Sequence, residues 1–198
     1  GYVSYIDESA MTYDYAYVLS MGTDGDQYGM DDDRGRTVYA RLVLTDGTLV
    51  KVETDVKRSD SPAGTLDAAM EMYRNHIVSY NVDSNDVYSL DIRDTYVEDK
   101  TNGTDGIKNA VDDNALNIEN GVAAFDAVGD WTANSNTVYI VADEDPDSFD
   151  DYDFTVFTGF KNVPDIKGQP GAQVDVATNE NGVAKVVYIE DADVAGAG

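Results

Sequence analysis

Two aspartate-rich segments have residue types that could bind a metal ion. The first, DGDQYGMDDDRG (residues 24–35), contains five aspartates and three glycines. Calcium loops supply oxygen ligands at alternate positions, place a glycine at the sixth position and end on a bidentate acid at the twelfth. Counted from Asp24, the segment has Asp26 at the third position, a glycine at the sixth and Asp32 at the ninth. The fifth and twelfth positions carry no carboxylate, so a solvated hairpin connection is the alternative.

The second acidic segment, DEDPDSFDDYD (residues 143–153), has better ligand spacing. Asp143, Asp145 and Asp147 occupy alternate positions, although a serine replaces the glycine at the sixth position and a proline stiffens the loop. Crowded carboxylates repel one another, and a divalent cation relieves that repulsion. Both segments are therefore predicted to be weak calcium-binding candidates, and no cofactor is expected to be required.

Residues for catalysis are scarce. The chain has no cysteine and one histidine, His76, so any serine–histidine–aspartate arrangement would need that residue. The sequence has no nucleophile elbow, phosphate-binding loop or dinucleotide fingerprint. Carboxylate pairs could hydrolyse glycosides, but among 39 acidic residues some pair arises by chance. We predict that the protein is not an enzyme and has no catalytic residues.

Aromatic residues offer a different chemistry, the stacking of sugars. Tyr13, Tyr15 and Tyr17 alternate along one segment and would share one face of a strand. Together with Trp131 they could contact a glycan, whereas cross-strand packing within a sheet is the alternative interpretation.

The charge limits the range of partners. Thirty-nine acidic residues face thirteen basic ones, giving a formal net charge of −26. Such a surface repels nucleic acid and anionic lipid. No apolar run is long enough to span a membrane. We therefore expect no nucleic-acid partner and no membrane insertion in this segment, and halophily is a further explanation of the aspartate excess.

The elements that would position these residues are mostly β-strands. In residues 37–55, apolar and polar residues alternate on both sides of Asp46-Gly47, a strong hairpin signal. Residues 77–92 indicate a second hairpin that turns at Ser84-Asn85-Asp86. Residues 179–191 indicate a third, with its turn at Asn181-Gly182.

One segment has helical spacing, near residues 62–76, with Thr65 as its N-cap. Three strands, a helix and two strands is the order of a five-stranded oligonucleotide/oligosaccharide-binding (OB) barrel. We predict an all-β chain with a minor helix, built as tandem small antiparallel β-barrels or OB-like domains. Residues 1–97 form the first, 98–106 a linker and 107–198 a second β-domain. Because each half is near the lower size for independent folding, a shared interface is expected.

Several segments resemble a known family. TVYARLVLTDGTLVKVETD, NTVYIVADED, YDFTVFTGFKNVPDI and NENGVAKVVYIEDA are similar to the non-anchoring β-domain region of surface proteins of Gram-positive (Firmicutes-type) gut bacteria that carry S-layer homology domains. The resemblance covers most of residues 15–192. It implies export, an extracellular place at the cell wall or cell surface, and a non-enzymatic role, and it supplies no functional residues.

Three functions follow as hypotheses. The first is a structural or interaction module of a secreted, S-layer-associated protein, with cell-wall or surface proteins and glycans as partners. The second is a glycan-binding or adhesive module that uses a tyrosine-lined barrel face. The third is a glycoside hydrolase that depends on a carboxylate pair.

Overall fold

The first half of the chain forms a closed barrel. A computed structural model of the protein describes residues 14–24, 36–92, 107–109, 117–119, 122–123, 132–142, 153–164, 166–167, 173–178 and 183–190. The barrel strands are β1 (Asp14–Thr23), β2 (Val38–Leu44), β3 (Leu49–Thr54), β4 (Ile77–Val82) and β5 (Val87–Asp91). They close in the order β1-β2-β3-β5-β4, and only the β3–β5 pair is parallel.

A bulge in β1 allows this strand to serve two neighbours. β1 pairs with β4 through residues 14–17 and with β2 through residues 16–23, with a register shift between Val18 and Ser20. Bulges bend a strand and increase its twist, which a small barrel needs in order to close. The predicted hairpin around Asp46-Gly47 is confirmed, since β2 and β3 pair on either side of that turn.

The barrel interior is filled by the alternating apolar residues that the sequence showed. Val38, Ala40 and Leu42 of β2 lie in the core with residues of every other barrel strand. Helix α1 (Leu66–Tyr73) adds Leu66, Ala69 and Met70 to the same core. The helix predicted near 62–76 is therefore confirmed.

Thr65 is the N-cap of that helix, as predicted. Its side-chain oxygen accepts a hydrogen bond from the backbone amide of Ala68, at 3.3 Å. A short 3-10 helix at Arg58–Asp60 precedes α1. A cap of this kind satisfies one of the amide groups that the first turn of a helix leaves without a partner.

The β4–β5 hairpin is also confirmed, and an aspartate organises its turn. The Asp83 carboxylate accepts hydrogen bonds from the backbone amides of Asn85 and Val87, at 2.8 and 2.9 Å. The bonds from Val87 and then Asn85 lower the pKa of Asp83. Asp86 takes the left-handed conformation (φ 62°) that aspartate tolerates in turns.

The second half forms two open sheets in the described part of the chain. The larger has the order β10-β9-β13-β12-β6, from β10 (Phe154–Thr158), β9 (Val138–Ala142), β13 (Ala184–Glu190), β12 (Gln173–Thr178) and β6 (Ile107–Asn109). The smaller is β11 (Ile166–Lys167), β7 (Asn117–Glu119) and β8 (Val122–Ala123). We refer to the larger one as the five-stranded sheet.

The five-stranded sheet is mixed, and its strand β9 is buried on both faces. β13 and β9 are parallel, while β12 and β13 form the third predicted hairpin, whose Asn181-Gly182 turn lies outside the described residues. Tyr139 and Ile140 project from opposite faces of β9, and each is 0 % exposed. Burial raises the pKa of Tyr139 to about 12. Because β9 is buried on both faces, its sequence is a continuous apolar run.

The barrel and the five-stranded sheet share a core, as their small sizes led us to expect. The outer face of the barrel contributes Tyr17, Leu19, Val43 and Ile77, and the sheet contributes Ile140, Ala142, Ala177, Val186 and Tyr188. The rings of Tyr17 and Tyr188 stack with their centroids 3.5 Å apart and their planes 6° from parallel. We call this set of nine residues the shared core.

The predicted linker, residues 98–106, lies outside the described residues, and the domain limits of 1–97 and 107–198 stay predictions. A repeat of the barrel in the second half also stays a prediction. Within the described part of the chain, no helix is both long enough and apolar enough to cross a membrane.

Candidate functional site

Of the six predicted metal ligands, the structure describes Asp24. Its carboxylate Oδ1 accepts a hydrogen bond from the backbone amide of Thr37 at 3.3 Å, and its own amide donates to the Thr37 carbonyl at 3.2 Å. Asp24 and Thr37 therefore join the end of β1 to the residue that precedes β2. The other five lie outside the described residues: Asp26, Asp32, Asp143, Asp145 and Asp147. No group of three or more potential ligands is found among the residues that are described.

We expect sodium chloride to reproduce much of any stabilisation by calcium at this connection. Salt screens exposed charges over ~10 Å at 0.1 M, so relief of repulsion would not need a particular ion. A specific site would add ~2.7 kcal/mol at a hundredfold excess of calcium over its Kd. The measurement is thermal melting with calcium, in low and high sodium chloride.

Asp24→Ala and Asp26→Ala serve as the test variants. A large calcium-dependent shift in melting temperature that survives high salt and disappears in both variants would show a specific calcium site and contradict this prediction.

His76 lies at a structural corner between α1 and β4. Its ring Nδ1 is 2.6 Å from the Arg74 carbonyl oxygen, and because a carbonyl only accepts, Nδ1 carries the donated proton. The backbone carbonyl of His76 accepts from the Val18 amide at 2.9 Å, and the Asn75 amide donates to the Val18 carbonyl at 2.8 Å. Arg74 reaches the Met21 carbonyl with Nη2 at 3.0 Å. These bonds attach the end of α1 to β1 on both sides of its bulge.

Tyr15 and Tyr17, the described members of the alternating tyrosines, are used for packing. Tyr17 is 1 % exposed in the shared core, and Tyr15 is half-buried against the same residues. Tyr13 and Trp131 lie outside the described residues. A sugar could reach the ring of Tyr17 only if the barrel separated from the five-stranded sheet.

A second aromatic pair lies at the end of the barrel that carries the first residue of β1. The rings of Tyr80 and Tyr88 are 5.2 Å apart and tilted by 33°, and both are half-buried. Asp14 is directly opposite Tyr80 in the β1–β4 ladder. Burial, and then the Asp14 carboxylate, raise the pKa of Tyr80. This pair was not singled out in the sequence. Tyr80 and Tyr88 lie on the two arms of the predicted hairpin and are diagonal neighbours in the ladder, because Tyr80 is opposite Leu90 and Tyr88 is opposite Val82.

The outer face of β2 and β3 has two regions. Near the turn, Val43 and Leu49 contact the five-stranded sheet. Farther along, Arg41 is opposite Lys51 and Tyr39 is opposite Glu53. The Lys51 Nζ lies 5.0 Å from the centre of the Tyr39 ring, in a cation–π contact. Lys51 is exposed, while Tyr39 and Arg41 are half-buried.

Comparison with known proteins adds no identification. The sequence matches none of the known protein families, and neither the curated proteins nor the solved structures give a match.

Proposed function

We propose that this chain is a non-catalytic structural and interaction module of a secreted bacterial cell-surface protein associated with an S-layer. The observation that carries the proposal is the shared core. Contacts between domains of one chain are usually rather polar, and relative motion is then the default. Here the contact is apolar and includes two stacked tyrosines that are each at most 1 % exposed. A spacer that holds neighbouring parts of a surface protein at fixed distances needs such a rigid connection.

We also assign the barrel to the OB-like class. Its support is the closed order β1-β2-β3-β5-β4, with α1 placed between β3 and β4 along the chain. The second half would then be a β-domain of its own, joined to the barrel through the shared core.

The acidic composition fits an extracellular module. A net charge of −26 keeps the chain soluble, and it favours divalent cations as bridges between acidic loops. Calcium would act there as a weak, screening partner, so the fold would not require it.

Exposure at the cell surface is the part of the proposal that can be tested on intact cells. Trypsin applied to cells that produce the protein should release peptides cleaved after Lys161, which is exposed in a turn. A cytoplasmic protein measured in the same sample by mass spectrometry is the control. Peptides that appear only after the cells are lysed would contradict the proposed location.

A glycan-binding or adhesive module is the second candidate. The observation that favours it is the Tyr80–Tyr88 pair, whose tilted, half-buried rings lie beside the Asp14 carboxylate. Aromatic rings next to hydrogen-bond acceptors can hold a sugar through its C–H face and its hydroxyl groups. A screen against cell-wall and host glycans separates this candidate from the first.

A further inference from the structure

The β4–β5 hairpin exposes an apolar side chain beside the Tyr80–Tyr88 pair. Of the residues that the structure describes, Val82 is the one large apolar residue that is exposed, at 45 %. It is opposite Tyr88 in the β4–β5 ladder and lies two residues after Tyr80 in β4. Opposite residues in a ladder, and residues two apart in a strand, lie on the same face of a sheet. Tyr80, Val82 and Tyr88 therefore form one surface, which we call the hairpin face.

The barrel core holds the hairpin face in place. Leu90, which is opposite Tyr80, is buried in that core. The rings of Tyr80 and Tyr88 pack against the same core and are half-buried, with their centres 5.2 Å apart and their planes tilted by 33°. Because the two rings are already fixed, a ligand would meet them without the cost of ordering flexible side chains.

Two carboxylates border the hairpin face. Asp14 is opposite Tyr80 in the β1–β4 ladder, so its exposed side chain lies on the same face. Asp46 lies in the β2–β3 turn, where its carboxylate accepts a hydrogen bond from the Thr48 amide at 2.9 Å. Burial raises the pKa of Tyr80, and Asp14, Tyr88 and Asp46 raise it further, in that order. The negative potential that opposes loss of the Tyr80 proton favours a cation at the same place.

We propose that the hairpin face binds an organic ammonium group, which contacts the rings of Tyr80 and Tyr88 and is attracted by the Asp14 carboxylate. Aromatic faces attract ammonium groups through the ring quadrupole, and the attraction is stronger when the group loses water. A calcium ion would need six to eight oxygen ligands. The rings and Val82 suit the methyl or methylene groups that surround the nitrogen of an organic cation instead.

Trimethylammonium compounds and amino sugars both carry this group. The inference does not rest on the proposed structural role. It also differs from the second candidate function, because a neutral glycan has no charge for Asp14 to attract.

Nuclear magnetic resonance of the full chain tests the site with matched pairs of compounds. Choline is titrated beside 3,3-dimethyl-1-butanol, its uncharged isostere, and protonated glucosamine beside glucose, all at constant ionic strength. The amide signals of residues 80–82 and 87–89 should shift and saturate with a Kd on the order of 1 mM for an ammonium compound. The uncharged partner should bind at least tenfold more weakly.

The pattern of saturation identifies the source of the ammonium group. Saturation with choline alone shows a site for methylated ammonium, saturation with glucosamine alone shows a site for amino sugars, and saturation with both shows a general ammonium site. The inference is wrong if neither ammonium compound saturates, or if each uncharged partner binds as tightly as its charged counterpart. Tight binding of glucose would instead favour the glycan-binding candidate.

Tyr88→Leu should raise the Kd at least fivefold, because it keeps an apolar side chain but removes the ring. Tyr39→Leu is the matched control, since Tyr39 is a half-buried tyrosine on the outer face of the barrel, and its loss should change the Kd less than twofold. Asp14→Asn should raise the Kd at least threefold, with the exposed Glu53→Gln as its control. The amide spectrum of each variant reports whether its fold is retained. Equal weakening in Tyr88→Leu and Tyr39→Leu would contradict the site.

Discussion

Replacing Tyr17 by alanine should lower the free energy of unfolding by about 3–5 kcal/mol, the cost typical of removing a large buried aromatic side chain. Tyr17 is 1 % exposed and stacks on Tyr188, so its removal leaves a cavity between the barrel and the five-stranded sheet. Chemical denaturation of the wild type and the variant measures the difference.

Two control variants make this prediction specific to the shared core. Tyr17→Phe keeps the stacked ring and should cost about 1.5 kcal/mol at most, the net value of a hydrogen bond. Tyr39→Ala removes a half-buried tyrosine from the barrel face beyond the shared core and should cost about 1 kcal/mol, mainly from its cation–π contact. Equal losses in Tyr17→Ala and Tyr39→Ala would show that the stacked pair does not join the two halves.

Replacing Gly47 by alanine should cost about 2–5 kcal/mol, from two separate causes. Gly47 has φ +83°, a conformation that costs an L-residue about 1–2 kcal/mol. Its new Cβ would also stand 3.0 Å from Val156 Cγ2 of β10, and crowding of this kind costs about 1–3 kcal/mol. The free energy of unfolding measures the sum of the two costs. Both the turn conformation and the contact with Val156 exist only in the folded chain, so both costs are removed on unfolding.

Two other glycines separate these causes. Gly64 has φ +66° with nothing within 4 Å of a new Cβ, so Gly64→Ala should show the backbone cost alone. Gly22 lies in β1 with open space and no positive φ, so Gly22→Ala should be neutral or slightly stabilising. If Gly47→Ala lowers the free energy of unfolding no more than Gly64→Ala does, the β2–β3 turn does not pack closely against β10.

Local signals in the sequence predicted the strands, the turns and the helix with its cap. Asp46-Gly47 and the alternation around it indicated β2 and β3, and the spacing of Leu66, Ala69 and Met70 indicated α1. These features depend on neighbouring residues, so a short window contains the information. The acidic segments show how the candidate ligands are spaced along the chain, but not where their carboxylates lie in space. Five of these six candidate ligands fall outside the described residues.

Tertiary pairing was harder to predict. Period-two alternation shows that a strand has two faces, but it does not say what covers the outer one. The sequence therefore left sugar binding open for Tyr17 beside cross-strand packing, and its partner Tyr188 is far away in the chain. The parallel pairing of β13 with β9 had no local signal either.

The cross-strand pairing of Arg41 with Lys51 could have been predicted from the sequence. Arg41 and Lys51 are equally distant from Asp46, the centre of the β2–β3 turn, so the predicted hairpin already places them opposite each other. The pairing becomes visible when residues are counted outward from the turn.

Single-molecule pulling on the two ends of the full chain tests the central claim most directly, namely that the barrel and the five-stranded sheet form one rigid body. With the shared core intact, the chain should show one rupture event that releases both halves together. Two rupture events at different forces, one for the barrel and one for the sheet, would contradict the account.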